Sequence, residues 1–286
     1  MQFLTKLDAM VTKNNSLLCI GLDPNIEMLP DHLKNDSDAY FTFNKAIIDA
    51  TANLVCAFKP NSAFYESRGV EGIRQLKQTC DYINEKYPEI PIILDFKRGD
   101  IGSTNDQYSK FAFDYLGVDA ITIQPYMGRE AVGPFLDRKD KGIIILVRTS
   151  NPGSGELQDI DSNGKKLYLQ LAENIITEWN SNNNCLMVVG ATYPQELAEI
   201  RQAVGDEIVF LVPGIGAQGG DVESTVKSGV NSNGRGIIVN SARDIIYASN
   251  GQDFADAAKN RATQVRDEIN KYRGVSACAP ANKNGS

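Results

Sequence analysis

Short apolar runs alternate with segments of helical periodicity along most of the chain, and this alternation constrains the fold more than any other feature. Eight runs occur, at residues 16–22, 54–58, 92–94, 120–123, 142–147, 185–189, 208–212 and 236–239. They are largely apolar throughout rather than alternately apolar and polar, which is typical of parallel strands covered on both faces. Since each run is followed by a segment that predicts a helix, the pattern indicates repeated βα units.

Eight βα units in a chain of 286 residues predict an α/β protein with the (β/α)8 TIM barrel fold. A doubly wound open sheet is the alternative. No G-x-G-x-x-G sequence follows the first strand, which counts against a dinucleotide-binding fold. We expect residues 1–273 to form a single barrel domain that begins with a short helix, and residues 274–286 to form a flexible C-terminal tail.

Charge and cysteine usage exclude several classes of protein. The net charge is −7 and no basic stripe is present, which argues against nucleic acid and anionic membranes as partners. No apolar run approaches the ~20 residues that a membrane-spanning helix needs. The five cysteines are scattered without a C-x-x-C pair, which predicts reduced thiols in a cytoplasmic protein. His32 is the only histidine, so a histidine-centred triad or a multi-histidine metal site is nearly excluded.

Polar residues stand where the apolar runs stop, and in a barrel these strand ends form the active site. The third run leads into Asp95, Lys97 and Asp100, and on a strand Asp95 and Lys97 point to the same side because they are two residues apart. The other ends supply Asp23, Lys59, Gln124, Thr149, Ser150, Gln218 and Arg243. A single charge cluster is most often a solvated loop, but several converging ends predict a site.

The last two strand ends predict a phosphate site. Four glycines (Gly214, Gly216, Gly219 and Gly220) surround Gln218 in a loop that leads into a helix. Glycines let backbone N–H groups approach an anion, and helix N-termini favour negative charge. Arg243 stands at the start of the next helix, where the helix dipole disfavours a cation. A bound phosphate would offset that cost, and barrels often bind phosphate with these two loops.

These residues match a known pattern. The segment 95–101, D-F-K-R-G-D-I, followed by Gly102 and Thr104, resembles the D-x-K-x-x-D motif of the orotidine 5′-phosphate decarboxylase family, in the variant of its longer bacterial (type 2) subfamily. Lys59 in F-K-P and the segment 149–153, T-S-N-P-G, are similar to the same subfamily. The resemblance extends from Asp23 to Arg243. Related barrel enzymes that act on sugar phosphates share the short motif alone.

The resemblance implies decarboxylation of orotidine 5′-phosphate to uridine 5′-phosphate in pyrimidine biosynthesis, with no metal and no organic cofactor. Lys97 would protonate C6 as the carboxylate leaves, and Asp95 would lie beside that carboxylate. Lys59 and Asp100 would complete an alternating row of charges. Asp100 and Thr104 would reach the partner's site across a homodimer.

The resemblance also implies the contacts with the nucleotide. Asp23 and Lys59 would contact the ribose, with help from Thr104. Of Ser150 and Thr149, Ser150 is the preferred contact for the pyrimidine. Gln218 and Arg243 would contact the phosphate. The chemistry fits the residues independently, because loss of CO₂ leaves a basic carbanion that a fixed cation can stabilise. Asp95 and Asp100 around Lys97 favour an ammonium, which is suited to a proton donor and not to a Schiff-base nucleophile.

Two other functions stay open. A metal-using sugar-phosphate decarboxylase or epimerase would need carboxylates placed as magnesium ligands, and Lys59 and the Thr149–Ser150 loop argue against it. A nonenzymatic phosphosugar-binding protein would keep Gln218 and Arg243 but would not need the charges at 95–100.

Overall fold

The computed structural model describes residues 2–215 and 221–274, and within them eight parallel strands form a barrel. The strands are β1 (Leu18–Leu22), β2 (Ala57–Pro60), β3 (Ile93–Arg98), β4 (Ala120–Ile123), β5 (Gly142–Arg148), β6 (Cys185–Val189), β7 (Phe210–Pro213) and β8 (Ile237–Ser241). Neighbours follow the chain order, with β8 paired to β1. Two parallel bridges between β2 and β3, Phe58 with Ile92 and Asn61 with Asp95, close the circle. The predicted (β/α)8 fold is confirmed.

Helices cover the outside of the barrel and connect its strands. They are α1 (Phe3–Asn14), α2 (Ala39–Thr51), α3 (Ser62–Glu66), α4 (Gly69–Lys86), α5 (Gly102–Ser109), α6 (Gly128–Leu136), α7 (Gly155–Gln158), α8 (Leu167–Asn174), α9 (Pro194–Val204), α10 (Val222–Gly229), α11 (Arg243–Ile246) and α12 (Phe254–Tyr272). Two π-helical segments, Lys110–Tyr115 and Ile175–Trp179, extend α5 and α8. No helix among the residues described here is both long and apolar enough to cross a membrane.

Burial explains the apolar runs of the sequence. Every residue of β1, β5, β6 and β8 is buried, because the barrel interior covers one face of each strand and the helices cover the other. β3 differs, since its C-terminal half carries partly exposed residues. The polar end of β3 therefore lies at the rim of an otherwise apolar barrel.

Helix α1 packs near the N-terminal ends of β4 and β5. This end of the barrel is opposite the strand ends that carry the polar residues. Phe3 lies so close to Gly142 that a Cβ there would be 2.4 Å from the ring. Lys6 forms an ion pair with Asp119, at 2.8 Å between Nζ and Oδ2, just before β4 begins. The N-terminal helix therefore closes one end of the barrel and leaves the other end open.

Two predicted strands differ most from the strands that the structure shows. The sequence predicts the second strand at 54–58, but the strand spans Ala57–Pro60, and Leu54 is buried within the turn that follows α2. The sequence predicts the third strand at 92–94, but it spans Ile93–Arg98. Lys59, Asp95 and Lys97 thus stand within the strands. A small hairpin (Asp161–Ser162 with Lys165–Lys166) and helix α3 have no counterpart in the predicted elements. The predicted tail lies outside the described residues from residue 275 onward.

Candidate active site

A cavity of about 710 Å³ lies at the C-terminal ends of the strands. Eight of the strand-end residues singled out in the sequence line it: Asp23, Lys59, Asp95, Lys97, Gln124, Thr149, Ser150 and Arg243. Apolar residues on the same wall include Leu146, Val188 and Pro213. The cavity therefore combines fixed charges with apolar surface, as small-molecule sites do.

Asp95 is the centre of the charged part of the cavity. Lys59 is 3% exposed and donates from Nζ to Asp95 Oδ2 at 2.9 Å. Lys97 donates from Nζ to Asp95 Oδ1. Thr122 on β4 donates from Oγ1 to the same Oδ1 at 3.0 Å. We call Lys59, Asp95, Lys97 and Thr122 the Asp95 cluster.

The two lysines of the cluster differ in exposure. The Lys97 side chain is 45% exposed, whereas that of Lys59 is 4% exposed. Lys97 also has a left-handed backbone conformation, with φ of 45°, which is uncommon for a residue other than glycine. Lys97 is thus the more exposed of the two ammonium groups that line the cavity, and Lys59 is a buried counter-charge of Asp95.

Electrostatic interactions keep Asp95 and Lys59 charged in spite of their burial. Burial alone would lower the pKa of Lys59, but the charges of Asp95 and Asp23 outweigh it and hold that pKa above its usual range. Burial would raise the pKa of Asp95, but Lys59 and Lys97 hold it well below its usual range. Asp95 and Lys59 therefore stay ionised near neutral pH.

Asp23 at the end of β1 behaves differently. Burial raises the pKa of its carboxyl group, Lys59 lowers it and Asp95 raises it further, and the net shift is upward. Its Oδ1 is buried without a hydrogen-bond partner among the described residues. Asp23 is therefore a cavity carboxylate with unused hydrogen-bonding capacity.

The loop after β5 carries Thr149 and Ser150 on a network of side chains. Gln158 accepts from the Thr149 N–H at 2.9 Å and donates to Thr149 Oγ1 at 2.9 Å. Arg148, only 2% exposed, donates to Ser154 Oγ at 2.7 Å and to Gln158 Oε1 at 3.3 Å. The loop is therefore fixed from below by a buried guanidinium.

Gly190, just after β6, allows this loop to approach closely. A Cβ at Gly190 would lie 2.8 Å from Ser150 Cβ and 2.9 Å from the Ser150 nitrogen. No side chain fits between them, and Ser150 is thereby held at the cavity wall.

The predicted phosphate site is partly described. Arg243, the first residue of α11, lines the cavity and is exposed. Its side chain forms no hydrogen bond or ion pair with any residue that the structure describes. Gly214, with φ of 105°, lines the cavity beside it. Gln218 lies outside the described residues.

Asp100 and Thr104 do not line the cavity within the described chain. Asp100 accepts from the Ile101 N–H at 2.6 Å, and its backbone is held by Asn105, which donates to the Asp100 carbonyl oxygen at 2.6 Å. It forms no ion pair with Lys97 or any other described residue. Of the two carboxylates expected beside Lys97, only Asp95 pairs with it in the described chain. Thr104 is in the first turn of α5.

Three residues of the site carry weak signals in the sequence. Thr122 stands within the apolar run 120–123, and its alternation with Ile121 and Ile123 is the only hint that it is special. Arg148 immediately precedes Thr149 and looks like one more polar strand end. Gln158 is nine residues beyond Thr149, so only the folded chain brings the two together.

The arrangement favours a small anionic molecule. Arg243 offers an anionic group a cation that has no partner among the described residues, and the apolar wall suits a ring. The Lys97 ammonium can deliver a proton next to a fixed carboxylate. In the described part of the chain, no group of three or more His, Cys, Asp or Glu side chains is arranged to hold a metal ion.

Comparison with known proteins points to one family. A family model described as "Orotidine 5′-phosphate decarboxylase / HUMPS family" matches residues 16–258. An orotidine 5′-phosphate decarboxylase from Dechloromonas aromatica (strain RCB) is 52% identical over 273 residues, which cover 96% of this chain and all of the relative. The enzyme of the same name from Azoarcus sp. (strain BH72) is 51% identical over 273 residues, with the same coverage of both chains.

Solved structures share the fold. The structure of Leishmania donovani OMP decarboxylase superposes with a TM-score of 0.84 at 34% sequence identity, and the match covers 96% of this chain and all of the other. A structure of Leishmania donovani UMP synthase gives the same TM-score at 36% identity, and there the match covers 96% of this chain and 58% of the other. Every site residue predicted from the sequence falls within the region that the family model matches.

Proposed function

The chain belongs to the orotidine 5′-phosphate decarboxylase / HUMPS family, and we propose that it converts orotidine 5′-phosphate to uridine 5′-phosphate and CO₂, with Lys97 protonating C6. The observation that carries this proposal is the Asp95 cluster. It places an ammonium that faces the cavity beside a carboxylate whose charge is secured by a second, buried lysine.

The reaction needs one proton and no electron acceptor. The bond between C6 and the carboxylate breaks, CO₂ leaves, and the electron pair stays on C6. The Lys97 ammonium stabilises that developing charge and gives its proton to C6, and water restores the proton on Lys97. A fixed cation stabilises this charge without reorganising during the reaction, because its position is already set by Asp95.

Asp95 has a second role in this proposal. Its negative charge would face the substrate carboxylate, and two like charges ~4 Å apart at an effective dielectric constant of ~20 repel by about 4 kcal/mol. The repulsion ends as CO₂ departs. The burial of Asp95 between two lysines supports this role, because the group cannot relieve the repulsion by moving into solvent.

The remaining residues would bind the nucleotide. Arg243, with Gln218, would hold the phosphate, and Asp23 and Lys59 would bind the ribose. Ser150 would contact the pyrimidine, with Thr149 beside it on the same cavity wall. These roles use groups on several different strands, as in other barrel enzymes.

The proposal includes a homodimer in which Asp100 and Thr104 complete the partner's site. Its support is that neither residue lines the cavity of its own chain, since Asp100 stands two residues before α5 and Thr104 lies in its first turn. Large apolar side chains nearby are exposed, namely Ile101 at 54%, Tyr126 at 87% and Met127 at 48%. Such a patch is suited to a second protein surface.

Subunit mixing tests the dimer. Chains with Lys97→Ala and chains with Asp100→Ala should each be inactive alone. Mixed under exchange conditions, they should recover activity, because one hybrid site then contains both wild-type residues. No recovery in mixtures shown to exchange subunits would contradict the shared site.

We also propose that the reaction proceeds without a metal or organic cofactor in the cytoplasm. Both Asp95 oxygens already accept from the lysines and Thr122, which leaves them poorly suited to bind a divalent cation. Four cysteines (Cys19, Cys56, Cys80 and Cys185) are buried free thiols, which fits a reducing compartment.

A spectrophotometric assay of orotidine 5′-phosphate loss in excess chelator tests the function. We expect turnover to uridine 5′-phosphate at the same rate with and without chelator. Loss of activity in chelator that added magnesium restores would favour a metal-using sugar-phosphate enzyme. Binding of the nucleotide without turnover would favour a phosphosugar-binding protein.

A further inference from the structure

Thr122 is the one member of the Asp95 cluster that does not line the cavity. Its hydroxyl is hydrogen-bonded to the irregular end of β3. Thr122 is 1% exposed on β4. Its Oγ1 accepts from the backbone N–H groups of Phe96, at 2.9 Å, and Lys97, at 3.0 Å. The same oxygen donates to Asp95 Oδ1 at 3.0 Å. One hydroxyl thus contacts three consecutive residues of β3.

These contacts coincide with a break in strand pairing. Leu94 pairs with Ile121 and Arg98 pairs with Ile123, so residues 95–97 of β3 stand opposite the single residue 122 of β4. The β3 strand therefore bulges over the two residues expected to carry out the chemistry. Such bulges redirect side chains, and they leave N–H groups without ladder partners.

The hydroxyl fits this task better than any apolar group of its size. A threonine has one O–H donor and two acceptor lone pairs, and here all three are used. Because both incoming partners are N–H donors, the hydroxyl proton must point to Asp95. The hydroxyl therefore fixes the backbone of the bulge and the orientation of the Asp95 carboxylate together.

We propose that Thr122 is a positioning residue, which holds the left-handed backbone of Lys97 and the Asp95 carboxylate in the geometry that brings the Lys97 ammonium to the substrate. The proposal rests on the proposed decarboxylase function. It assigns to Thr122 no contact with the substrate, so its removal should impair the chemical step more than binding.

The test uses the full-length protein with Thr122→Val, which keeps the shape of the side chain and removes the hydroxyl, and Thr122→Ser, which keeps the hydroxyl. We expect Thr122→Val to lower kcat about 100-fold, as small misplacements of catalytic groups do, with the Kd for uridine 5′-phosphate within about threefold of wild type. Thr122→Ser should stay within about threefold of wild-type kcat.

Thr51→Val is the matched control. Thr51 is also fully buried and also uses its hydroxyl, donating to the Ile47 carbonyl oxygen at 2.7 Å, but it lies on α2 away from the cavity. Its kcat should be unchanged. Wild-type kcat in Thr122→Val, or equal losses of kcat and product affinity in it, would overturn the proposal. So would a Thr122→Ser protein as impaired as Thr122→Val.

Amide hydrogen exchange at Phe96 and Lys97 gives a readout that does not depend on activity. Exchange at both amides should be at least about tenfold faster in Thr122→Val than in Thr122→Ser, because only the valine leaves them without an acceptor. Equal exchange in the two variants would overturn the positioning role. An inactive wild-type protein would contradict the decarboxylase function instead, and the exchange comparison would still decide the role of Thr122.

Discussion

Two regions of the cavity wall differ in whether their charged groups are paired within the protein. At the ends of β2 and β3, Lys59, Asp95 and Lys97 satisfy one another within the protein. At the ends of β1 and β8, Arg243 has no side-chain partner among the described residues, and Asp23 has a buried oxygen without one. The first region is built before a ligand arrives, whereas the second keeps its hydrogen-bonding capacity free for a ligand.

This difference corresponds to two kinds of task. A group that stabilises a transition state works best when its position is fixed in advance, because reorganisation would cost part of the gain. A group that supplies binding energy is more effective when no protein partner has to be displaced first. The comparison therefore predicts that changes of Asp95 and Lys97 chiefly reduce turnover, whereas changes of Arg243 and Asp23 chiefly reduce affinity. Lys59, which would also bind the ribose, should contribute to both.

The largest expected effect is that of Lys97→Ala. Removing the proposed proton donor and the cation beside C6 should lower kcat by about 10⁴-fold or more. Affinity for uridine 5′-phosphate should stay within about tenfold of wild type, because the product has no charge at C6 for Lys97 to bind. Steady-state kinetics and titration calorimetry measure the two quantities.

Lys77→Ala is a suitable control for this change, since Lys77 forms a surface ion pair with Asp81. It should leave both quantities unchanged. Near-wild-type turnover in Lys97→Ala would contradict the assignment of the proton donor and remove the distinction between the two regions.

The next effect is that of Arg243→Ala. Loss of a charge-assisted contact with phosphate should weaken binding of uridine 5′-phosphate by about 10- to 100-fold. Binding of uridine, which has no phosphate, should be unchanged. Arg266→Ala, which removes an arginine paired with Asp267 on the surface of α12, is the control. If both ligands lost affinity equally, Arg243 would support the structure of the site and would not bind phosphate.

The first region was largely predictable from the sequence, and the reason is local. Asp95 and Lys97 follow an apolar run directly, so their joint appearance at a strand end depends only on strand periodicity. Asp95 and Lys97 do lie together, but the backbone that carries them is not a regular strand, because β3 bulges there and Lys97 has a positive φ. A bulge depends on pairing with β4, which no local pattern in β3 encodes.

The supporting residues were less predictable because their partners are distant in the chain. Thr122 acts on residues about 25 positions earlier, and its run looks like any buried strand. Arg148 ends an apolar strand like the functional residues do, yet its guanidinium is buried against the ring of Tyr193, at 4.1 Å from the centroid. Whether a strand-end charge faces the cavity or the helices depends on the register of the whole barrel.

The smallest expected effect concerns Asp23. It tests whether keeping this carboxylate available for a ligand lowers the stability of the unliganded protein. The folded chain raises the pKa of Asp23 above the ordinary value of 3.8. An ionised Asp23 therefore destabilises the folded protein at pH values above that ordinary pKa. Asp23→Asn removes the charge and should increase the free energy of unfolding at pH 7 by about 1 kcal/mol, or roughly 2 °C in Tm.

The sign of the pH dependence makes this prediction specific. As the pH falls through the raised pKa, Asp23 in the wild-type protein takes up a proton and its cost disappears, so the advantage of Asp23→Asn should shrink in acid. Asp31→Asn is the control of opposite sign, because Lys34 lowers the pKa of the exposed Asp31, and it should give no gain at pH 7. Thermal unfolding of the unliganded proteins at neutral and acidic pH measures both. A lower Tm for Asp23→Asn at pH 7 would mean that attraction to Lys59 outweighs the cost of burying the Asp23 charge. The end of β1 would then belong with the first region, whose charges are paired within the protein.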